Sequence, residues 1–148
     1  MTDTKRPESK ERLIEGLNED LANEWAAVIS YLLRAQTVRG PHRPVLSGFF
    51  DGEVGDELGH ARFLARKIDA LGGHPTHEPA AIAVGGGPKA MLEAALSEER
   101  ATVARYEIRI AQARDAGESA LALELETLLT DEAGHVDELA AILDGWEA

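Results

Sequence analysis

Apolar residues recur at steps of three and four along most of the chain, which is the spacing of a helix that buries one face. No segment alternates apolar and polar residues with a period of two, so the pattern predicts helices and no strands. The clearest stripe lies near the end of the chain and passes through Leu121, Leu125, Leu128, Glu132, His135, Leu139, Ile142 and Trp146. A similar stripe near the start passes through Leu17, Leu21, Glu24, Val28, Tyr31 and Ala35. Both stripes carry ionisable residues on a face that should be buried, where a charge is costly unless it is paired or bound to a metal.

Proline and glycine divide the periodic pattern into separate helices, since Pro favours a helix start and Gly a helix end. The pattern predicts four helices over residues of about 9–39, 44–71, 88–115 and 118–146. The polar start of the chain, 1–8, is predicted to be a flexible tail, and 9–148 to form one domain.

The lengths of the connections predict how the helices are arranged. The first and last pairs of helices are joined by short turns, so each pair should form an antiparallel hairpin. The middle connection, from Gly72 to Pro88, is much longer. Extended chain covers roughly 3.3 Å per residue, so this segment reaches about 50 Å, enough to pass along a helix of about 42 Å. We therefore predict an all-α four-helix bundle with one long crossover between helices 2 and 3.

Composition and charge narrow the possible functions. The 148 residues carry a net charge of -12, which argues against binding nucleic acid, whose phosphates attract Lys and Arg. Hydrophobic content is 44%, without an apolar run long enough to cross a bilayer, so we expect no membrane association. There is no cysteine, which excludes disulfides and thiolate metal sites. With no apolar signal segment at the start, we expect a cytoplasmic protein.

The sequence contains an internal repeat. Asp-Glu-x-Gly-His occurs twice, 75 positions apart, and the same shift aligns residues well beyond that motif. The aligned pairs are Leu17 with Leu92, Leu21 with Leu96, Glu24 with Glu99, Val28 with Val103, Tyr31 with Tyr106, Leu46 with Leu121, Asp56 with Asp131, Glu57 with Glu132, His60 with His135 and Leu64 with Leu139. Each half is therefore one hairpin with the same polar residues at the same depth.

The spacing within each half predicts a metal centre. Glu24 and Glu57 are equidistant from the first predicted turn, and Glu99 and Glu132 from the last one. Each lone Glu should therefore lie at the height of the Glu-x-x-His of its partner helix, whose two side chains share one face. Two hairpins packed with pseudo-twofold symmetry bring four Glu and two His together. This donor set suits two divalent ions, either iron or manganese, bridged by shared carboxylates.

The chain resembles the ferritin-like superfamily, most closely its bacterioferritin branch, over about residues 9–146. The residues that carry the resemblance are Glu24, Glu57, His60, Glu99, Glu132 and His135. The resemblance implies that Glu57 and Glu132 bridge two iron ions, while Glu24 with His60 and Glu99 with His135 are terminal ligands. It also implies a homo-oligomer, either a dimer or a cage, that oxidises Fe(II) with O₂ or H₂O₂ for iron storage or detoxification.

Two features bear on the branch of the family. Bacterioferritins place a haem-binding Met directly after the bridging Glu of the second helix, and Leu58 occupies that position here, so haem is not expected. The alternative is a rubrerythrin-like peroxidase, or another oxidoreductase with iron or manganese and without storage, because rubrerythrins share paired tyrosines and a symmetric site.

Five further residues are candidates for supporting the centre. Asp56 and Asp131 either hold the His of the opposite Glu-x-x-His helix or only solvate their own helices. Tyr31 and Tyr106 either bind a ligand carboxylate or are ordinary core aromatics. Glu53 breaks the repeat, since its partner is Leu128; it either marks an access route for iron or leans toward the surface.

Gly59 and Gly134 directly precede the two histidines and are unfavourable inside helices, where each costs about 1 kcal/mol relative to Ala. Two explanations are open: a close approach of another helix, or a π-bulge beside the centre. The sequence favours neither.

Overall fold

Four α-helices make up most of the molecule, as predicted. The computed structural model describes residues 5–146, with side chains from residue 8 onward. The helices are α1 Lys5–Thr37, α2 Arg43–Ala70, α3 Pro88–Asp115 and α4 Ser119–Leu143. The described residues contain no strand, and the predicted all-α bundle is confirmed. No helix among them is both long enough and apolar enough to span a membrane.

The start of α1 differs from the sequence-based expectation. The helix begins at Lys5 rather than near residue 9. Pro7 lies in its first turn, where backbone N–H groups have no acceptor within the helix, so the missing N–H of proline is tolerated. Residues 5–8 therefore belong to α1, and the rest of the predicted tail lies outside the described residues.

The buried core consists of two apolar clusters at opposite ends of the bundle. The cluster at the end where α1 begins includes Leu13, Leu17, Leu21, Leu64, Ile68, Ile110, Leu121 and Leu125. The cluster at the other end includes Tyr31, Ala35, Leu46, Phe50, Met91, Leu92 and Leu139. The ionisable residues of the two sequence stripes lie between these clusters and are shielded from water by them.

The long connection between α2 and α3 passes along α1 from its beginning toward its end. The Ala80 N–H donates a hydrogen bond to the Ala22 carbonyl at 2.8 Å, and the Trp25 indole N–H donates to the Thr76 carbonyl at 2.9 Å. These bonds hold the connection as a crossover against α1. Because of it, α3 begins beside the end of α1, and the two hairpins, α1–α2 and α3–α4, pack with α1 next to α3.

Neither explanation for the paired glycines holds. Gly59 and Gly134 lie in regular α-helix, and both are exposed. A Cβ atom added to either glycine would meet no heavy atom within 4 Å outside its own helix. Nothing in the structure explains this pair. A close approach does exist elsewhere, at Gly16, where an added Cβ would overlap the Arg109 guanidinium.

Candidate metal centre

The structure brings the six predicted ligand residues together in the polar layer between the two apolar clusters. They come from all four helices, with Glu24 on α1, Glu57 and His60 on α2, Glu99 on α3, and Glu132 and His135 on α4. The four carboxylates are buried, as is His60, while His135 is partly exposed. Carboxylates belong at such depth only when they are paired or bound to cations.

The imidazole Nδ1 atoms define two neighbouring positions. His60 Nδ1 lies 2.6 Å from Glu132, 3.7 Å from Glu24 and 3.8 Å from Glu57. His135 Nδ1 lies 3.0 Å from Glu57, 3.5 Å from Glu99 and 3.6 Å from Glu132. Glu57 and Glu132 therefore lie beside both imidazoles, whereas Glu24 and Glu99 each lie beside one.

The atoms that converge in this layer lack ordinary hydrogen-bond partners. The unpartnered buried atoms include Oε2 of Glu24, Oε1 of Glu57, Oε2 of Glu99, both carboxylate oxygens of Glu132, and Nδ1 of His60 and His135. Even the short contact between His60 Nδ1 and Glu132 lacks hydrogen-bond geometry. A buried polar atom without a partner costs about 1–3 kcal/mol. Bound cations would satisfy these atoms, so the residues present fit a pair of metal ions.

The electrostatics of the layer agree with that fit. Burial raises the pKa of Glu57 well above its ordinary value and that of Glu99 to about 8. Burial opposes charge on His60 and His135, but the surrounding carboxylates raise the pKa of both imidazoles overall. Protons on these groups compete with metal ions, so metal binding releases protons.

The outer nitrogen of each imidazole faces an aspartate across the gap between α2 and α4. His60 Nε2 lies 3.2 Å from Asp131, and His135 Nε2 lies 3.3 Å from Asp56. Both aspartates are on the surface. An acidic partner on the outer nitrogen fixes the orientation of the ring and leaves Nδ1 directed into the layer.

Glu53 makes the two positions unequal. Its carboxylate lies 3.0 Å from His135 Nε2, and its side chain is only 15% exposed. His135 therefore has two acidic neighbours at its outer nitrogen, Glu53 and Asp56, whereas His60 has Asp131. The repeat partner of Glu53 is Leu128, which lies in an apolar cluster.

The two tyrosines connect the hairpins through the layer. The Tyr31 hydroxyl donates to Glu99 at 2.7 Å, and the Tyr106 hydroxyl donates to Glu24 at 2.5 Å. Burial raises the pKa of both phenols well above the ordinary value, which keeps them protonated as donors. Each tyrosine therefore holds the lone Glu of the other hairpin in place.

Sequence reasoning missed a pair of buried arginines that flank the layer. Arg109 donates to both carboxylate oxygens of Asp20, at 2.8 and 3.2 Å. Arg34 donates to both oxygens of Glu98, at 2.9 Å each. The signal was present, because the 75-residue shift also aligns Arg34 with Arg109. Such bidentate pairs fix α1 against α3 on either side of the tyrosines.

Comparisons with known proteins agree with this geometry. A sequence model of the ferritin-like domain matches residues 14–148. The bacterioferritin of Rhodobacter capsulatus is 29% identical over 127 residues, which are 85% of this chain and 79% of that protein. The bacterioferritin of Streptomyces coelicolor is 30% identical over 133 residues, which are 89% and 80% of the two chains.

Solved structures show the same similarity. A ferritin-like, diiron-carboxylate protein from Bacillus anthracis str. Ames superimposes with a TM-score of 0.89 and 44% identity, over 91% of this chain and 97% of that one. The bacterioferritin of Desulfovibrio desulfuricans shares the fold with a TM-score of 0.87 at 24% identity, over 94% and 82% of the two chains. The expected resemblance and fold are confirmed.

Proposed function

The chain belongs to the ferritin-like domain family, and on that premise we propose that it is a di-iron ferroxidase of the bacterioferritin type. Its substrates in this proposal are Fe(II) and either O₂ or H₂O₂. One observation carries the proposal: Glu57 and Glu132 each lie beside both inner imidazole nitrogens. Carboxylates shared between two positions are what a pair of close metal ions requires.

The ligand roles follow from the same distances. Glu57 and Glu132 bridge the two ions, Glu24 and His60 complete one position, and Glu99 and His135 complete the other. This assignment is supported by the contacts of Glu24 with His60 alone and of Glu99 with His135 alone. The donor set is rich in oxygen with some imidazole, which suits iron and also admits manganese.

The protein residues prepare the site for a two-electron oxidation. Each Fe(II) gives up one electron, and the four carboxylates offset the charge of the ferric products. Asp56 and Asp131 orient the imidazoles, while Tyr31 and Tyr106 hold the terminal carboxylates. The apolar clusters at the two ends of the bundle limit the contact of the centre with bulk water, which strengthens these electrostatic interactions.

The experiment is an anaerobic titration with Fe(II), followed by mixing with oxidant. We expect two Fe(II) per chain and the rise of ferric absorbance. Glu57→Ala should abolish stoichiometric binding of the pair, because each position loses a ligand. The matched control is Glu107→Ala, an exposed glutamate on α3. The bridging assignment is wrong if Glu57→Ala still binds two Fe(II) and oxidises them at the normal rate.

The proposal extends to a homo-oligomer in the cytoplasm. It includes no haem, since Leu58 follows the bridging glutamate. Storage of the ferric product requires a hollow cage, whereas a dimer suits detoxification. Native mass together with metal content distinguishes these assemblies, and also distinguishes iron from manganese.

A rubrerythrin-like peroxidase that does not store iron is the second candidate. The observation that favours it is the near-symmetric pair of tyrosine–glutamate hydrogen bonds across the centre. Repeated addition of Fe(II) and oxidant separates the two functions. A storage protein accumulates a ferric core, whereas a peroxidase consumes H₂O₂ with added reductant and accumulates none.

A further inference from the structure

A cavity of about 120 Å³ leads to the candidate centre from the α1 and α3 side of the bundle. Its lining includes Ala81 of the crossover and Glu98 and Ala101 of α3, which are exposed. It also includes Tyr31, Glu57 and Glu99, which are buried in the polar layer. The cavity therefore connects the surface to the carboxylates of the centre, and it has room for several molecules the size of water.

Several hydrogen-bonding groups line the cavity. The lining includes Asn23 and Ser30 of α1 and Thr102 and Arg105 of α3. Arg105 donates to the Thr102 hydroxyl at 2.8 Å, and its buried Nε atom has no hydrogen-bond partner. This N–H is available to a small molecule in the cavity that accepts a hydrogen bond.

Outside the ligand carboxylates, the two sides of the centre carry different charges. On the α2 and α4 side, Asp56 and Asp131 are exposed and Glu53 lies behind them. This acidic side attracts cations. On the cavity side, Arg34 neutralises Glu98, and Arg105 adds a positive charge. The cavity side therefore attracts cations less than the acidic side does, and its route past Arg105 suits a neutral molecule.

We propose that this cavity is the binding and access site for hydrogen peroxide. The proposal rests on the ferroxidase function above and names its oxidant and the route of that oxidant. H₂O₂ is small and neutral, and it both donates and accepts hydrogen bonds, which matches the lining. O₂ is a much weaker hydrogen-bonding molecule. It therefore gains less from the lining groups, which include an amide, two hydroxyls and a guanidinium.

The reaction needs no reactant beyond Fe(II), H₂O₂ and protons. H₂O₂ takes one electron from each of two Fe(II) ions, its O–O bond breaks, and two protons are taken up to give two waters and two Fe(III). Thr102 acts by positioning the Arg105 guanidinium, through the bond that its hydroxyl accepts. The metal ions use the acidic side, so the two substrates reach the centre from opposite faces.

The test compares rates of ferric absorbance after anaerobic protein loaded with two Fe(II) is mixed with H₂O₂ or with O₂. In Thr102→Val we expect the ratio of the H₂O₂ rate to the O₂ rate to fall about tenfold, the effect of losing one hydrogen bond to a charged group. The matched control is Thr130→Val on α4, whose hydroxyl likewise donates to the carbonyl four residues earlier. In Thr130→Val the ratio of the H₂O₂ rate to the O₂ rate should equal that of the unaltered protein.

A second variant blocks the cavity without touching a polar group. Ala101→Leu adds bulk at the exposed rim, and Ala104→Leu adds the same bulk at an exposed position of α3 outside the cavity. We expect the rate with H₂O₂ to fall in Ala101→Leu and to stay normal in Ala104→Leu, with two Fe(II) bound in both. Unchanged H₂O₂ rates in both cavity variants, or equal losses in variants and controls, would overturn the proposal. If the unaltered protein oxidises no Fe(II) with either oxidant, the proposed function fails instead.

Discussion

The two hairpins carry the same ligand pattern but give their histidines different surroundings. His60 is buried and has one acidic neighbour at its outer nitrogen, Asp131. His135 is more exposed and has two, Glu53 and Asp56. The inner nitrogens, in contrast, face equivalent sets of carboxylates.

This difference separates what the internal repeat controls from what it does not. The repeat sets the residues that point inward, because both hairpins must close one polar layer. It does not constrain the residues around the outer imidazole nitrogens. There a single difference between the halves, Glu53 in place of Leu128, adds a carboxylate beside His135. The two metal positions should therefore be alike in ligands and unequal in affinity.

Among changes that compare the two hairpins, the largest effect should come from removing one terminal carboxylate on either side. Glu24→Gln and Glu99→Gln keep the size of the side chain and an acceptor for the tyrosine hydroxyl, but remove a charged ligand. Each variant should retain one of the two metals, and Fe(II) oxidation should slow by about 100-fold or more, since weaker perturbations around metal ligands already cost 10–100-fold. Anaerobic titration and stopped-flow absorbance measure both quantities.

Equivalent losses in those two variants would support a symmetric ligand set. If Glu99→Gln kept both metals while Glu24→Gln lost one, Glu53 would have to serve as a ligand on the His135 side rather than as a neighbour of its outer nitrogen.

A smaller effect is expected from making the surroundings of the two outer imidazole nitrogens alike. Glu53→Leu gives α2 the residue that the repeat has in α4, and removes one acidic neighbour of His135. We expect the metal on the His135 side to lose about tenfold in affinity, the lower limit for an outer partner of a metal ligand, which makes the two positions more nearly equal. Competition with a chromogenic chelator measures it. Asp69→Leu, at an exposed position of the same helix, is the control; an equal loss there would mean that general charge, not contact with His135, is responsible.

The smallest effects concern the glycines. Gly59→Ala and Gly134→Ala should each raise the free energy of unfolding by about 1 kcal/mol, because the added methyl group meets open space and alanine favours the helix. Gly16→Ala should lower it by about 1–3 kcal/mol, because the methyl group displaces the buried Arg109 guanidinium. Urea unfolding of metal-free protein at one fixed concentration measures all three. A destabilised Gly59→Ala would show that this face of α2 is covered in the assembled protein.

The bundle and the convergence of six residues were predictable because they depend on periodicity and on distance from a turn. Residues equidistant from a tight turn share a height in any antiparallel hairpin, and the repeat applies that rule twice. The long crossover followed from length alone. These are properties of the chain that need no knowledge of how helices rotate about their axes.

The arginine pairs and the cavity depend on how the helices are rotated about their axes. The partners of Arg34 and Arg109 depend on it, since only the packing of α1 against α3 places their guanidinium groups beside Glu98 and Asp20. The cavity is likewise a gap between two helices and leaves no pattern in either one.

The contacts around the centre also describe how the molecule is assembled. Tyr31 binds Glu99, Tyr106 binds Glu24, and the arginine pairs likewise join α1 to α3, so the polar contacts link one hairpin to the other. The crossover is the covalent link between them. If the backbone were cut within 84–87, each fragment would keep three of the six ligand residues. Metal ions would then act as a reversible cross-link, and reassociation of the fragments would become stronger with rising metal concentration.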